Sequence, residues 1–193
     1  MTAKEWTSAL VPFGITVCGV DELPGFAEHK ISHVLSILDV GMPSPEAFAR
    51  YPAHARLDLR FSDCIKEGPG TVLVQRADVD LLLAFGRDLT AERQNAHLLV
   101  HCQMGVSRST GSMFLIMAQA RPDLAPDVLA KELVRIRPQA WPNLRLVTLG
   151  DELLGRNGAL VSAVRGIYRA RLDKQPDLAA LFRSVGREAE VDG

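Results

Sequence analysis

The sequence predicts an α/β fold: a small, mostly parallel central sheet flanked by helices, with a helical C-terminal half. Three observations carry that expectation. Apolar runs of strand length recur at residues 15–20, 33–39, 56–63 and 98–101. Beyond Arg108 the apolar residues fall at helical spacing only. Between these two halves an apolar run breaks at a glycine-containing loop and resumes as a helical pattern at Met113, Phe114, Ile116 and Met117, which is the strand–loop–helix unit of parallel sheets.

In chain order, residues 1–12 read as a loose lead-in. Ile15, Val17, Cys18 and Val20 form a first strand, closed by the turn-rich stretch 21–25, and Phe26 to Lys30 add a helical turn. Residues 33–39 form a second strand; turn chemistry follows at 41–45, and Pro45-Glu46-Ala47-Phe48 starts a short helix. Residues 56–63 alternate, with Leu57, Leu59 and Phe61 on one face, so this strand is half-buried and ends at Asp63 before the loop Gly68-Pro69-Gly70. Residues 78–89 read as a helix with Val79, Leu82 and Leu83 inward, and 98–101 as the next strand. The central helix ends at Pro122, Pro126 suits the first turn of another, and Leu129, Leu133 and Ile136 share its inner face. Residues 144–154 and 160–172 are two more amphipathic helices, 176–187 a short last one, and 188–193 a flexible tail.

The 193 residues suit a single domain spanning 1–193. With 47% apolar and 23% charged residues the composition is that of a soluble globular protein. A net charge of −1 supplies no global basic field, which argues against nucleic acid or an anionic membrane as partner. Cys18, Cys64 and Cys102 are too scattered for a disulfide framework or a metal-ligand pair, so no metal and no other cofactor are expected, and a reducing, cytoplasmic setting fits. No signal peptide is visible, and apolar runs such as 81–85 are too short to span a bilayer.

The chemistry concentrates in Leu98-Leu99-Val100-His101-Cys102-Gln103-Met104-Gly105-Val106-Ser107-Arg108-Ser109-Thr110. The six backbone N–H groups from Gln103 to Arg108 can curl into a concave nest with a helix N-terminus behind it, and such a nest binds tetrahedral oxyanions. Gly105 supplies the positive φ such a wrap requires. The Arg108 fork adds two charge-assisted hydrogen bonds to a dianionic phosphoryl group. Helix dipole, N–H groups and arginine together favour the thiolate of Cys102, which attacks phosphorus and forms a phosphocysteine. Ser109 is placed to hydrogen-bond the sulfur as it leaves, and His101 to order the loop backbone. Gln103, Met104, Gly105, Val106, Ser107 and Arg108 are thus the candidate substrate-binding residues.

His101-Cys102-x-x-Gly105-x-x-Arg108-Ser109 resembles the His-Cys-x-x-Gly-x-x-Arg-Ser/Thr motif of the protein-tyrosine and dual-specificity phosphatase superfamily. The resemblance implies that family's fold, its metal-free phosphocysteine mechanism, a phosphorylated substrate, and an aspartate general acid on a loop upstream of the cysteine. Asp63, at a strand end in Leu59-Arg60-Phe61-Ser62-Asp63, is the chosen acid and Asp58 the runner-up; Asp78, Asp80 and Asp88 fall on a helix. Asn143 reads as a helix N-cap near the site, Cys64 as an inert thiol beside the acid, and Arg135, Arg137 and Arg145 as guides for an anion or plain solvated residues. The expected activity is phosphomonoester hydrolysis on phosphotyrosine or dual-specificity protein substrates. The alternatives are a phosphoinositide or nucleotide phosphatase, arsenate reduction, and a non-catalytic phosphate-binding module. The loop interior carries no lysine, which argues against phosphoinositides.

Overall fold

The computed structural model describes residues 8, 10–91 and 96–193. Most of the expected lead-in, residues 1–7 and 9, lies outside them, but its end packs: Val11 and Phe13 are buried in the core.

Four parallel strands form one sheet in the order β1-β4-β2-β3, with β1 at Gly14–Gly19, β2 at His33–Leu38, β3 at Ala55–Arg60 and β4 at His97–Cys102. Every pairing is parallel, so all four strands end on the same edge. There Gly19 pairs in register with Cys102 and Leu38 with Arg60. In open parallel sheets that edge is where ligands bind.

Side chains alternate between two cores, as the period of a strand requires. Ile15, Val17, Leu35, Ile37, Leu59, Leu98, Val100 and Cys102 face the larger one. Cys18, Val34 and Leu99 face a smaller one made with Leu23, Ile31, Phe48 and Tyr51. The second layer comes from two 3-10 segments: Val20–Phe26, earlier in the chain than the helical turn expected at 26–30, and Glu46–Arg50, where a short helix was expected. The alternation of Leu57, Leu59 and Phe61 holds. The ladder, however, stops at Arg60, so Asp63 lies in the following loop rather than at the strand's last residue. Phe61 still donates its N–H to the Leu38 carbonyl, which fixes where that loop starts.

The large core is helical. The helices are α1 (Arg76–Ala91), α2 (Arg108–Ala120), α3 (Pro126–Ile136), α4 (Leu144–Leu153), α5 (Ala159–Leu172) and α6 (Leu178–Ser184). Every residue of α2 from Arg108 to Ala118 is buried, because α1, α3, α4 and the sheet surround it. Each fully buried Phe, Leu, Ile or Met side chain there contributes about 1.5–3 kcal/mol. Helix α4 reaches it so closely that a Cβ on Gly150 would sit 2.3 Å from the Leu115 methyls.

Within the stretch 188–193, expected as a flexible tail, one residue is anchored in the core. After α6 the chain turns through Gly186 into a 3-10 turn at Glu188–Glu190, and Glu190 is buried at 2% exposure. Its carboxylate accepts from the Trp141 indole at 2.7 Å and the Leu144 N–H at 2.9 Å, partners that residue spacing alone does not reveal.

Candidate active site

Strand β4 delivers Cys102 to the sheet edge, and α2 begins only six residues later at Arg108. The turn between them is held from outside by its carbonyls. Gln103 accepts from the Val20 N–H, Met104 and Gly105 from the Arg137 guanidinium, Val106 from the Trp141 N–H, and Ser107 from the Gly111 and Asn143 N–H groups. Carbonyls engaged from outside leave the loop's N–H groups without those partners. Among the described residues, none from Gln103 to Arg108 donates to a carbonyl in a turn, loop or cap. A turn of this kind, a cradle at a helix N-terminus, suits a tetrahedral oxyanion.

Gly105 is obligatory in it. Its φ is +67°, and a Cβ would lie 2.4 Å from the Cys18 carbonyl carbon and 2.6 Å from Arg137 Nη2. Arg137, read from the sequence as an anion guide or a plain solvated residue, is instead buried and braces the loop. It is held in turn by Glu22, which accepts from Nη1 at 2.8 Å and Nη2 at 2.6 Å. Burial acts to raise the Glu22 pKa, but the hydrogen bond from Arg137 and the Gly19 N–H outweigh it and hold the carboxyl below its ordinary value. The other two arginines are also engaged, Arg135 with Glu132 and Arg145 with the Val74 carbonyl.

Cys102 is buried, and its Sγ lies 3.2 Å from Ser109 Oγ, close enough for a hydrogen bond. Arg108 is 2% exposed. Its Nη1 donates to the Phe61 carbonyl at 2.7 Å and its Nη2 to Asp39 Oδ2 at 3.3 Å, while its Nε is buried with no partner. A buried, unpaired guanidinium N–H is costly unless an acceptor arrives. His101 faces the smaller core, its ring 5.4 Å from that of Phe48. Burial pushes its pKa down to about 4, so it stays neutral beneath the loop.

Asp63 reaches the cradle from the β3 loop. Its Oδ1 accepts from Ser107 Oγ at 2.6 Å, Asn143 Nδ2 at 3.0 Å and Arg187 Nη1 at 3.2 Å. Asn143 also caps α4 as expected, accepting from the Leu146 N–H. Asp58 lies elsewhere, paired with Arg56 and Arg60. Burial acts to raise its pKa, but the Arg56 hydrogen bond and both guanidinium charges outweigh that and hold it below the usual range. Burial pushes the Cys64 thiol up, in keeping with an inert role. Among the described residues no cluster of His, Cys, Asp and Glu could hold a metal ion, and no helix is long and apolar enough to cross a membrane.

Three residues at the site escape a reading of the sequence. Asp39 directly follows β2 and meets Arg108. Arg187 and Glu190 arrive from the C-terminal turn. Only Asp39 carries a local sign, its place at the end of an apolar run before Gly41.

Solved structures share this architecture. The human tyrosine phosphatase-like serine/threonine/tyrosine-interacting protein superposes with a TM-score of 0.58 at 17% identity, over 79% of this chain and 98% of that one. A mouse putative dual specificity phosphatase complexed with zinc tungstate gives 0.54 at 20% identity, over 85% and 94%. PTPMT1 in complex with PI(5)P gives 0.52 at 12% identity, over 82% and 97%. No family model matches the chain, and no curated protein sequence does. The fold is that of the protein-tyrosine and dual-specificity phosphatases.

Proposed function

We propose that the protein is a cysteine-dependent phosphomonoester hydrolase, acting on phosphotyrosine or dual-specificity protein substrates. The observation that carries the reading is the loop from Cys102 to Arg108: its carbonyls bonded from outside, its N–H groups from Gln103 to Arg108 donating to no carbonyl in a turn, loop or cap among the described residues, and the Arg108 Nε buried and unpaired. A phosphoryl group seated there meets fixed dipoles and a guanidinium where its charge sits, with no reorganisation needed. Cys102 attacks phosphorus in line, the P–O bond to the leaving group breaks, and phosphocysteine forms. Asp63 gives its proton to the departing oxygen. Water then attacks phosphorus and gives a proton to the Asp63 carboxylate, the P–S bond breaks with the thiolate leaving under help from Ser109, and phosphate departs.

Two sequence features bear on the substrate. PTPMT1 is a neighbour that binds PI(5)P, but the loop here holds Gln103, Met104 and Val106, with no lysine to meet further phosphates. A purely phosphate-binding module has no use for a nucleophile, and both Cys102 and Arg108 are present.

Cys102→Ser should abolish hydrolysis of p-nitrophenyl phosphate while keeping affinity for an oxyanion such as tungstate. Asp63→Asn should slow turnover most for poor leaving groups and remove the alkaline fall of the pH–rate profile. Activity that survives Cys102→Ser overturns the reading; the Asp63 signature appearing in Asp58→Asn reassigns the acid.

A further inference from the structure

We propose that Arg187 is a positioning residue for the general acid, and that residues 186–192 act as a clasp fixing the acid loop against the anion cradle. The proposal rests on the phosphatase reading with Asp63 as its acid.

Arg187 is 5% exposed although it lies in the last turn of the chain. Its guanidinium works in three directions. Nε and Nη2 donate to Glu190 at 2.7 and 2.8 Å, Nη1 to Asp63 Oδ1 at 3.2 Å, and Nη2 also to Ser107 Oγ at 2.9 Å. The Ser107 hydroxyl in turn donates a hydrogen bond to the same Asp63 oxygen. One planar fork thus joins the C-terminal turn, the acid loop and the residue that precedes Arg108. Glu190 fixes the fork's orientation and is itself held by the Trp141 indole and the Leu144 N–H. Phe182 stacks on Trp141 at 4.0 Å on one side and meets the guanidinium at 5.3 Å on the other. A second, exposed tie joins the same two segments, Lys66 Nζ to Glu188 Oε1 at 2.5 Å.

The consequence concerns where the proton sits. All three donors converge on Oδ1 of Asp63, and Oδ2 is the oxygen they leave for the proton that goes to the leaving group. Two of the three donors, Ser107 and Arg187, also bond each other, so the carboxyl cannot rotate without breaking both. A general acid works only within hydrogen-bond reach of the leaving oxygen, and loss of orientation lowers the rate of that proton transfer. Arg187 itself touches the cradle only at the Ser107 hydroxyl; the loop's carbonyls are braced by the Val20, Trp141 and Asn143 N–H groups and by Arg137.

The test compares p-nitrophenyl phosphate, whose leaving group needs no proton, with phenyl phosphate, whose leaving group does. Arg187→Lys keeps a positive charge beside the buried Glu190 but loses the fork. We expect kcat on phenyl phosphate to fall about tenfold or more, with kcat on p-nitrophenyl phosphate and both KM values changing less than about threefold. In the Asp63→Asn background the same substitution should add nothing to the leaving-group dependence. Equal losses on both substrates, or a full additional loss on top of Asp63→Asn, overturn the proposal. If Arg187→Lys fails to fold, Lys66→Met cuts only the exposed tie and should show the same selective loss at about twofold to fivefold; an unselective or absent effect then overturns it. A wild-type protein without activity, or with activity that survives Cys102→Ser, is the separate failure of the phosphatase reading.

Discussion

Acid is expected to weaken this fold through His101, directly beneath the proposed nucleophile. Burial is the largest cause holding its pKa near 4 instead of 6.5; the Arg56 and Arg60 charges act the same way, while the backbone at Cys102 and the Asp58 charge oppose them. The folded state therefore keeps a neutral imidazole over a range where the unfolded chain protonates it. Its contribution is fully present above pH 6.5 and disappears as the pH falls towards 4. The loss runs at about 1.4 kcal/mol per pH unit and totals about 3 kcal/mol, a large share of a typical 5–15 kcal/mol of roughly domain-sized stability. His97, also held near pH 4 by burial, adds a loss of the same sign, so wild type must be compared with His101→Gln. Urea unfolding followed through the fluorescence of buried Trp141 supplies the assay. Between about pH 7 and 4.5 the wild type should lose about 2–3 kcal/mol more than His101→Gln. Parallel profiles for the two proteins refute the reasoning.

Two further expectations concern the cradle. Gly105→Ala forces a Cβ into the Cys18 backbone at positive φ; it should remove activity and lower stability by about 2 kcal/mol or more, and a fully active alanine variant contradicts the loop's role. Arg108→Lys keeps the charge but loses the fork to Phe61 and Asp39; kcat/KM should drop about a hundredfold or more, and near-normal kinetics contradict a role for the guanidinium.

What could be read from the sequence follows the range of the forces involved. Alternation at Leu57, Leu59 and Phe61 is a local signal, but it carries the strand on to Asp63, whereas the ladder stops at Arg60 and Asp63 belongs to the loop that reaches the cradle. The spacing from His101 to Ser109 is likewise local, and Gly105 takes the positive φ that such a turn demands. Asn143 was legible as a cap, but its side-chain amide also reaches Asp63, 80 residues away. Arg137 illustrates the limit. Among dispersed arginines nothing marks it, and only the fold brings it between Glu22 and the Gly105 carbonyl. The anchoring of the C-terminal turn is hidden for the same reason. A polar stretch after a helix resembles a free tail unless a distant indole and a helix N-terminus are waiting for its carboxylate, as they are for Glu190. Asp39 and Arg187 enter the site across strand and chain ends, where no residue period carries information.

The central claim is that the Cys102 sulfur forms a bond to phosphorus. Rapid acid quench of the enzyme turning over a radiolabelled aryl phosphate, followed by peptide mapping, tests it most directly. The account predicts acid-trapped label on the peptide containing Cys102, absent from Cys102→Ser and lengthened in lifetime by Ser109→Ala. Turnover with no labelled cysteine, or label that persists in Cys102→Ser, contradicts it.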